Sequence, residues 1–198
     1  MKRQFYFFIR IYLFFLIIGT VSCITCGGNS PNYYNVESFS SSLLKKVYID
    51  DTFLFEDLED DEVNYNEYGV LISPLNEYYS TANKSFLVNS MYACDEVPPT
   101  TTDKYLDVNV FTNNAFDEDH LEGSDVSDFF KILNFDNNLL TIDDFMQLSP
   151  LIEGSLILVL DEKPSASGDF SFTIHITLDG KILNEFELIT NSVKINID

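Results

Sequence analysis

From Phe170 to Leu178 the chain alternates without a break. Phe170, Phe172, Ile174, Ile176 and Leu178 are apolar, and Ser171, Thr173, His175 and Thr177 between them are polar. Successive side chains of a strand point to opposite faces, so this period of two predicts a β-strand with one face in a core and one toward solvent. Asp179-Gly180 follows, a pair that tolerates the positive φ angles of tight hairpin turns. Lys181–Ile189 is therefore expected to return antiparallel, and Ser192–Ile197 to add an edge strand. Ser155–Leu160 is apolar without alternation, which predicts a strand buried on both faces.

The rest of the chain reads in the same terms. Tyr33–Phe39 and Leu43–Phe55 are strand-like runs. Tyr68, Val70 and Ile72 alternate within Asn64–Ser73, Pro74 is expected to end that strand, and Leu75–Thr81 to form a turn of helix. Lys84–Ala93 alternates, then meets Pro98-Pro99, which cannot donate to a ladder. In Lys104–Thr112, Leu106, Val108 and Val110 are expected on one face, with Asp107 and Asn109 on the other. Two short helices are expected. One is capped by Ser124 or Ser127, with Val126, Phe129, Phe130 and Leu133 as its apolar face. The other is Ile142–Leu148, capped by Thr141. Many strands, a hairpin signal and few helical stretches predict a mainly β protein. The expectation is an antiparallel β-sandwich, Ig-like, with two short helical insertions; a barrel is the alternative.

The N-terminus has a different logic. Lys2 and Arg3 give a positive start, Ile11–Ile18 is an apolar run, and Gly19-Thr20-Val21-Ser22 shrinks toward Cys23. Arg10 leaves too few apolar residues for a membrane-spanning helix, which needs about 20. The layout is that of a secretory signal peptide. Its exit resembles a bacterial lipobox, in which the cysteine is lipidated and becomes the new N-terminus. That resemblance implies residues 1–22 as signal, 23–31 as a lipid-anchored tether and 32–198 as a single β-sandwich domain. Each buried acyl methylene contributes about 0.8 kcal/mol, so several chains on Cys23 would hold the protein on a membrane permanently. The plain alternative is ordinary cleavage after Ser22.

The three cysteines are Cys23, Cys26 and Cys94. With Cys23 lipidated in an oxidising compartment, Cys26 and Cys94 are left to pair, a closure contributing about 4 kcal/mol on the chain-entropy model. Two unpaired thiols, with Cys94 a small buried apolar residue, remain the alternative. Losing Lys2, Arg3 and Arg10 with the signal leaves 8 basic residues of 11 against all 32 acidic ones, a formal charge of −24. Such a surface repels nucleic acid and anionic headgroups and keeps a tethered domain soluble. The densest stretch, Glu56–Glu62, has six carboxylates in seven residues. It reads as a solvated loop. A calcium site is the sharper reading, but calcium needs six to eight converging oxygens.

The lipobox, the Cys26-Gly27-Gly28 tether, Met91-Tyr92-Ala93-Cys94 followed by Pro98-Pro99, and the segment Asn113–Phe130 together resemble an uncharacterised family of Bacteroidota lipoproteins, a domain of unknown function. The resemblance covers most of the mature chain. It implies an outer-membrane lipoprotein of β fold and brings no activity with it. Ile24-Thr25-Cys26-Gly27-Gly28 lacks the acidic residues that resemble a surface-export signal, which points to the periplasmic side.

Chemistry is sparse. Neither a nucleophile elbow, a His-Glu-x-x-His zinc motif nor a phosphate loop is present. His175 is expected on the outward face of a strand. His120 sits in a polar turn with Asp117, Asp119 and Glu122. Neither is at ligand spacing from a cysteine. No catalytic residue, metal or cofactor is expected. Two functions remain: a non-enzymatic binding or structural lipoprotein with an envelope protein partner, or a glycan-binding or glycan-degrading surface lipoprotein. The absence of Trp, a common sugar platform, favours the first.

Overall fold

The computed structural model describes residues 32–49, 52–80, 101–134, 137–152, 154–179 and 184–197, with 32–33 and 77–80 described by backbone alone. Nearly all belong to one compact unit, Tyr34–Glu77 with Thr101–Asp198. Of the other unit, Met1–Tyr33 with Tyr78–Thr100, only Asn32, Tyr33 and Tyr78–Ser80 are described, as strand ends. The expected signal peptide and tether, Cys23, Cys26, Cys94 and the expected strand Lys84–Ala93 lie outside the described residues.

The unit is mainly β, with sheets that are antiparallel apart from one parallel pair. Its strands are β1 (Asn32–Ile49), β2 (Thr52–Asp57), β3 (Glu62–Asn64), β4 (Tyr68–Ser80), β5 (Tyr105–Thr112), β6 (Phe130–Leu133), β7 (Leu139–Thr141), β8 (Leu156–Leu160), β9 (Gly168–Phe170), β10 (Phe172–Leu178), β11 (Glu185–Ile189) and β12 (Val193–Asn196). A six-stranded sheet runs β2-β1-β4-β8-β6-β7, and two three-stranded sheets run β11-β10-β5 and β3-β12-β9. β8 is central in the large sheet, and four of its five residues are buried, as a continuous apolar run requires.

Buried side chains from all three sheets make one core. Phe172 of β10 meets Tyr68 of β4 at 5.8 Å and Phe130 of β6 at 5.1 Å between ring centroids, the second edge to face. Phe116, in the 113–124 connection, reaches Phe170 of β9 at 5.8 Å. Aromatic pairs in such geometry contribute about 0.5–1.5 kcal/mol beyond area burial. In the large sheet Phe55 of β2 reaches over β1 to Gly69 of β4. A Cβ on Gly69 would stand 2.9 Å from that ring, so a side chain there would have to displace it.

The strand faces expected for 170–178 hold: Phe170, Phe172, Ile174, Ile176 and Leu178 are buried and His175 is exposed. Other expectations are corrected. The run is two strands in different sheets, broken at Ser171. β10 does pair antiparallel with β11; Thr177 faces Glu185 and the Leu178 N–H donates to the Asn184 carbonyl at 2.7 Å. Gly180, half of the expected Asp179-Gly180 turn, lies outside the described residues. β12 is no edge strand. It lies between β9 and β3, parallel to β3 through Lys194–Glu62, Ile195–Val63 and Asn196–Asn64.

Leu106 is on the wrong face. Thr177 pairs with Asp107 and Leu178 with Tyr105, so Leu106 is the extra residue of a bulge. The bulge turns Tyr105 into the core and leaves Leu106 56% exposed. Pro74 does not end β4, and Leu75–Ser80 is strand, not helix. The ladder to β8 stops at Ile72–Leu156, so Pro74 lies beyond the last pair on that side and takes no donor from that ladder. Leu43–Phe55 is split between β1 and β2, a hairpin whose last pair is Ile49–Thr52.

One α-helix occurs among the described residues, where two were expected. α1 (Ile142–Gln147) is the one capped by Thr141, whose hydroxyl accepts the Asp144 N–H at 3.1 Å. Ser127–Phe129 is a single 3-10 turn, and Phe130–Leu133 is β6. Phe130 and Ile132 point into the core while Lys131 and Leu133 alternate with them, and pairing with β8 overrides the helical spacing.

Candidate functional site

An apolar hollow lies where β5, α1, the β6–β7 connection and the approach to β8 meet. It encloses about 270 Å³. Tyr105, Leu133, Phe145, Leu151, Leu156 and Ile157 form its walls, with Asn134, Asn137 and Ser155 among the polar residues of its lining. Local rules place each group. The Leu106 bulge turns Tyr105 inward. The Thr141 cap starts α1 so that Ile142 and Phe145 bury, and Phe145 stacks obliquely on Tyr105 at 6.4 Å. Asn134 Oδ1 accepts the Asn138 N–H at 2.8 Å, and Asn137 takes the left-handed conformation, φ 59°, that asparagine tolerates.

A small polar cluster lies behind this wall. The Tyr34 hydroxyl donates to the Ile152 carbonyl. Asp103, buried, accepts the Val36 N–H at 3.4 Å through its carboxylate, and its own backbone N–H donates to Thr101 Oγ1 at 3.0 Å. The Tyr105 hydroxyl is buried, with no hydrogen-bond partner among the described residues. Burial, with Tyr34 nearby, pushes its pKa well above the ordinary tyrosine value, so it stays a neutral donor. A buried orphan hydroxyl costs about 1–3 kcal/mol.

The outward face of β5-β10-β11 is polar. Register aligns three rows across it: Asp107–Thr177–Glu185, Asn109–His175–Glu187 and Phe111–Thr173–Ile189. His175 Nε2 stands 3.3 Å from Glu187 Oε2, and its ring lies 4.9 Å from Phe111. Asn109, His175, Thr177, Glu185 and Glu187 line a shallow hollow of about 380 Å³.

Two acidic places were singled out in the sequence. In Glu56–Glu62 every carboxylate is exposed; Glu56 and Asp57 end β2 and Glu62 opens β3. Lys194 Nζ holds Glu62 at 3.0 Å, and that hydrogen bond and charge lower the Glu62 pKa. In the other, Asp117 Oδ1 accepts the N–H of Asp119 at 2.9 Å and of His120 at 2.7 Å, and meets His120 Nδ1 at 2.8 Å. Desolvation raises the Asp117 pKa, but the bonds from His120 and Asp119 outweigh it and leave it lowered. The His120 ring packs edge to face on Phe129 at 4.7 Å. This is a closed turn whose carboxylate is occupied by its own backbone. Among the described residues no three His, Cys, Asp or Glu converge as metal ligands. His175 and His120 belong to different surfaces and form no joint site.

The hollow at Tyr105 was missed in the sequence because its walls come from four separated segments, each reading as ordinary core. Cys23, Cys26 and Cys94 lie outside the described residues.

No known family profile matches this sequence, and no curated protein matches it. Among solved structures the chain is similar to BspA_C_WT, with 13% identity, a TM-score of 0.27 and 80% of this chain covered. It is similar also to BspA_C_mut, with 13% identity, a TM-score of 0.24 and 80% covered. The chain spans about half the length of each, 50% and 46%.

Proposed function

We propose that this chain is an envelope lipoprotein, held by lipid on Cys23 at the periplasmic side of the outer membrane, whose folded part is a non-enzymatic binding module. Residues 32–198 form a single Ig-like β-sandwich in this reading. The Phe172 contacts to Tyr68 and Phe130, which join two sheets through a common core, support that architecture. The signal layout ending at Cys23 supports the anchor. Among the described residues, no helix is long and apolar enough to cross a membrane.

The observation that carries the binding reading is the apolar hollow. At about 270 Å³ it is smaller than common metabolite sites, which run about 300–1,000 Å³, and suits one large apolar side chain of a protein partner. Leu151, 40% exposed at its wall, is open to such a contact. The test is affinity purification of the lipidated protein from envelopes, wild type against Leu151→Asp. A stoichiometric protein should accompany the wild type and be lost from the variant at an unchanged melting temperature. A wild type without a protein partner would overturn this reading. In parallel, Cys23→Ser should move the protein to the soluble fraction.

A glycan-handling role is the second reading. The hollow with Asn109, His175 and Glu187 beside the Phe111 ring favours it, because amide, imidazole and carboxylate groups bond sugar hydroxyls. Binding on a glycan array that Asn109→Ala abolishes would select it.

A further inference from the structure

Among the described residues, strand β11 is paired on one side only. Leu178 N–H donates to the Asn184 carbonyl and Thr190 N–H to the Phe172 carbonyl. In an antiparallel ladder hydrogen-bonded pairs recur every second residue. Phe186 and Leu188 therefore direct their backbone groups to β10, while Glu185, Glu187 and Ile189 direct theirs away from it. No strand pairs with that side among the described residues. The opposite edge of the same sheet is closed. Along β5 the Val126 N–H donates to the Val110 carbonyl at 2.8 Å, the Thr112 N–H to the Ser124 carbonyl at 3.0 Å, and the Tyr105 N–H to the Pro150 carbonyl at 3.2 Å.

Burial also falls off toward this edge, although Phe186 still meets Phe39 of β1 edge to face at 5.0 Å. The core-facing residues of β10, Phe172, Ile174, Ile176 and Leu178, are at most 1% exposed. Phe186 and Leu188 of β11 face the same core and are only half-buried. One more strand would cover them and satisfy the outward backbone groups together.

We propose that the open edge of β11 takes up an extended, basic segment of another protein as an added strand. The charge of the edge selects the occupant. On the outward face Glu185 and Glu187 are exposed, with Asp107 in the row of Glu185, and Ile189 is 64% exposed beside Phe111 in its row. The complementary strand places basic side chains opposite the two glutamates and an apolar one opposite Ile189. Its alternate residues are apolar and lie over Phe186 and Leu188. A second copy of this chain is disfavoured. Antiparallel self-pairing centred on Glu187 would set that glutamate against its own copy, and like charges directly opposite destabilise a ladder.

This inference rests on the binding-module reading but uses a different surface, so Leu151→Asp should leave it intact. The probe is a capped peptide of alternating lysine and valine, with a glutamate–valine peptide as control, added to the full chain in detergent. The readout is amide hydrogen exchange. The lysine peptide should protect the amides of Glu185, Glu187 and Ile189, and bind about tenfold tighter than the control. Glu185→Lys with Glu187→Lys should reverse that preference. Glu187→Pro, which removes an outward donor and spares the β10 ladder, should abolish protection without lowering the melting temperature much. Three results would each overturn the proposal: no protection at those amides by either peptide, equal binding by a lysine–valine peptide N-methylated on its pairing edge, or protection that grows with protein concentration alone, which would assign the edge to a second copy.

Discussion

Ile174→Ala and His175→Ala compare neighbouring residues on opposite faces of β10. Ile174 is fully buried, with Val110 and Leu188 as its register partners on either side. The change removes three carbons, a transfer loss of about 2.4 kcal/mol at roughly 0.8 kcal/mol each. Ladders on both sides hold the neighbours, so little collapse is available. A residual cavity adds about 1–2 kcal/mol at roughly 24 cal/mol per Å³. The sum, about 3–4 kcal/mol, is a large part of a domain stability of about 5–15 kcal/mol. His175 is 47% exposed at its side chain, and Glu187, its partner at 3.3 Å, is 63% exposed. Solvent screens such a pair, so His175→Ala should cost less than about 1 kcal/mol. Urea unfolding of the full chain in detergent measures both. At a slope of about 1–3 kcal/mol per molar, the first variant should lower the midpoint by roughly 1–4 M at an unchanged slope. Equal losses for the two variants would refute the assignment of faces and with it the core described for this sheet.

Three further outcomes follow from single contacts. Thr141→Ala removes the hydroxyl that accepts the Asp144 N–H and should cost about 1 kcal/mol in the same melt, while Thr141→Ser should cost much less. Glu62 has a lowered pKa through Lys194, so its contribution to stability is present above the ordinary carboxylate range and disappears as pH falls through the lowered value. The stability difference between wild type and Glu62→Gln should accordingly close on acidification, and a difference that widens toward acid would contradict the pairing. Millimolar calcium at fixed high ionic strength should leave the melting temperature unchanged; a rise cancelled by replacing Asp57, Asp60 and Asp61 with asparagine would make the acidic stretch a metal site.

What the sequence made legible was local. Phe170–Leu178 and Tyr68–Ile72 repeat with period two, and their inward residues are buried because nothing non-local competes with that pattern. Thr141 was readable as a cap because its partner is three residues away. Misreadings arose where a distant segment decided. Val126, Phe129, Phe130 and Leu133 have helical spacing, yet β8 offers Phe130 and Ile132 a ladder, and a ladder with a buried face outweighs a weak helix propensity. Leu106 fits its alternation and still points outward, because the register with β10 skips it. Ser192–Ile197 looked like an edge, and only its parallel pairing with Glu62–Asn64, far back in the chain, makes β12 a middle strand.

The same distinction separates the two surfaces on which function is proposed. β11 as a strand was readable as the return partner of the clearly alternating β10. Its being an open edge was not, because that depends on what lies on its far side. The hollow at Tyr105 needs the Leu106 bulge, the Thr141 cap, the Asn134–Asn138 turn and the start of β8 all at once. Each is a modest local rule, and no contiguous motif records their meeting. A site of this kind tolerates drift at any one segment so long as the four still converge. Partner choice at the β11 edge depends instead on two glutamates and one isoleucine, so single charge changes there should redirect binding while leaving the core, and the hollow, as they are.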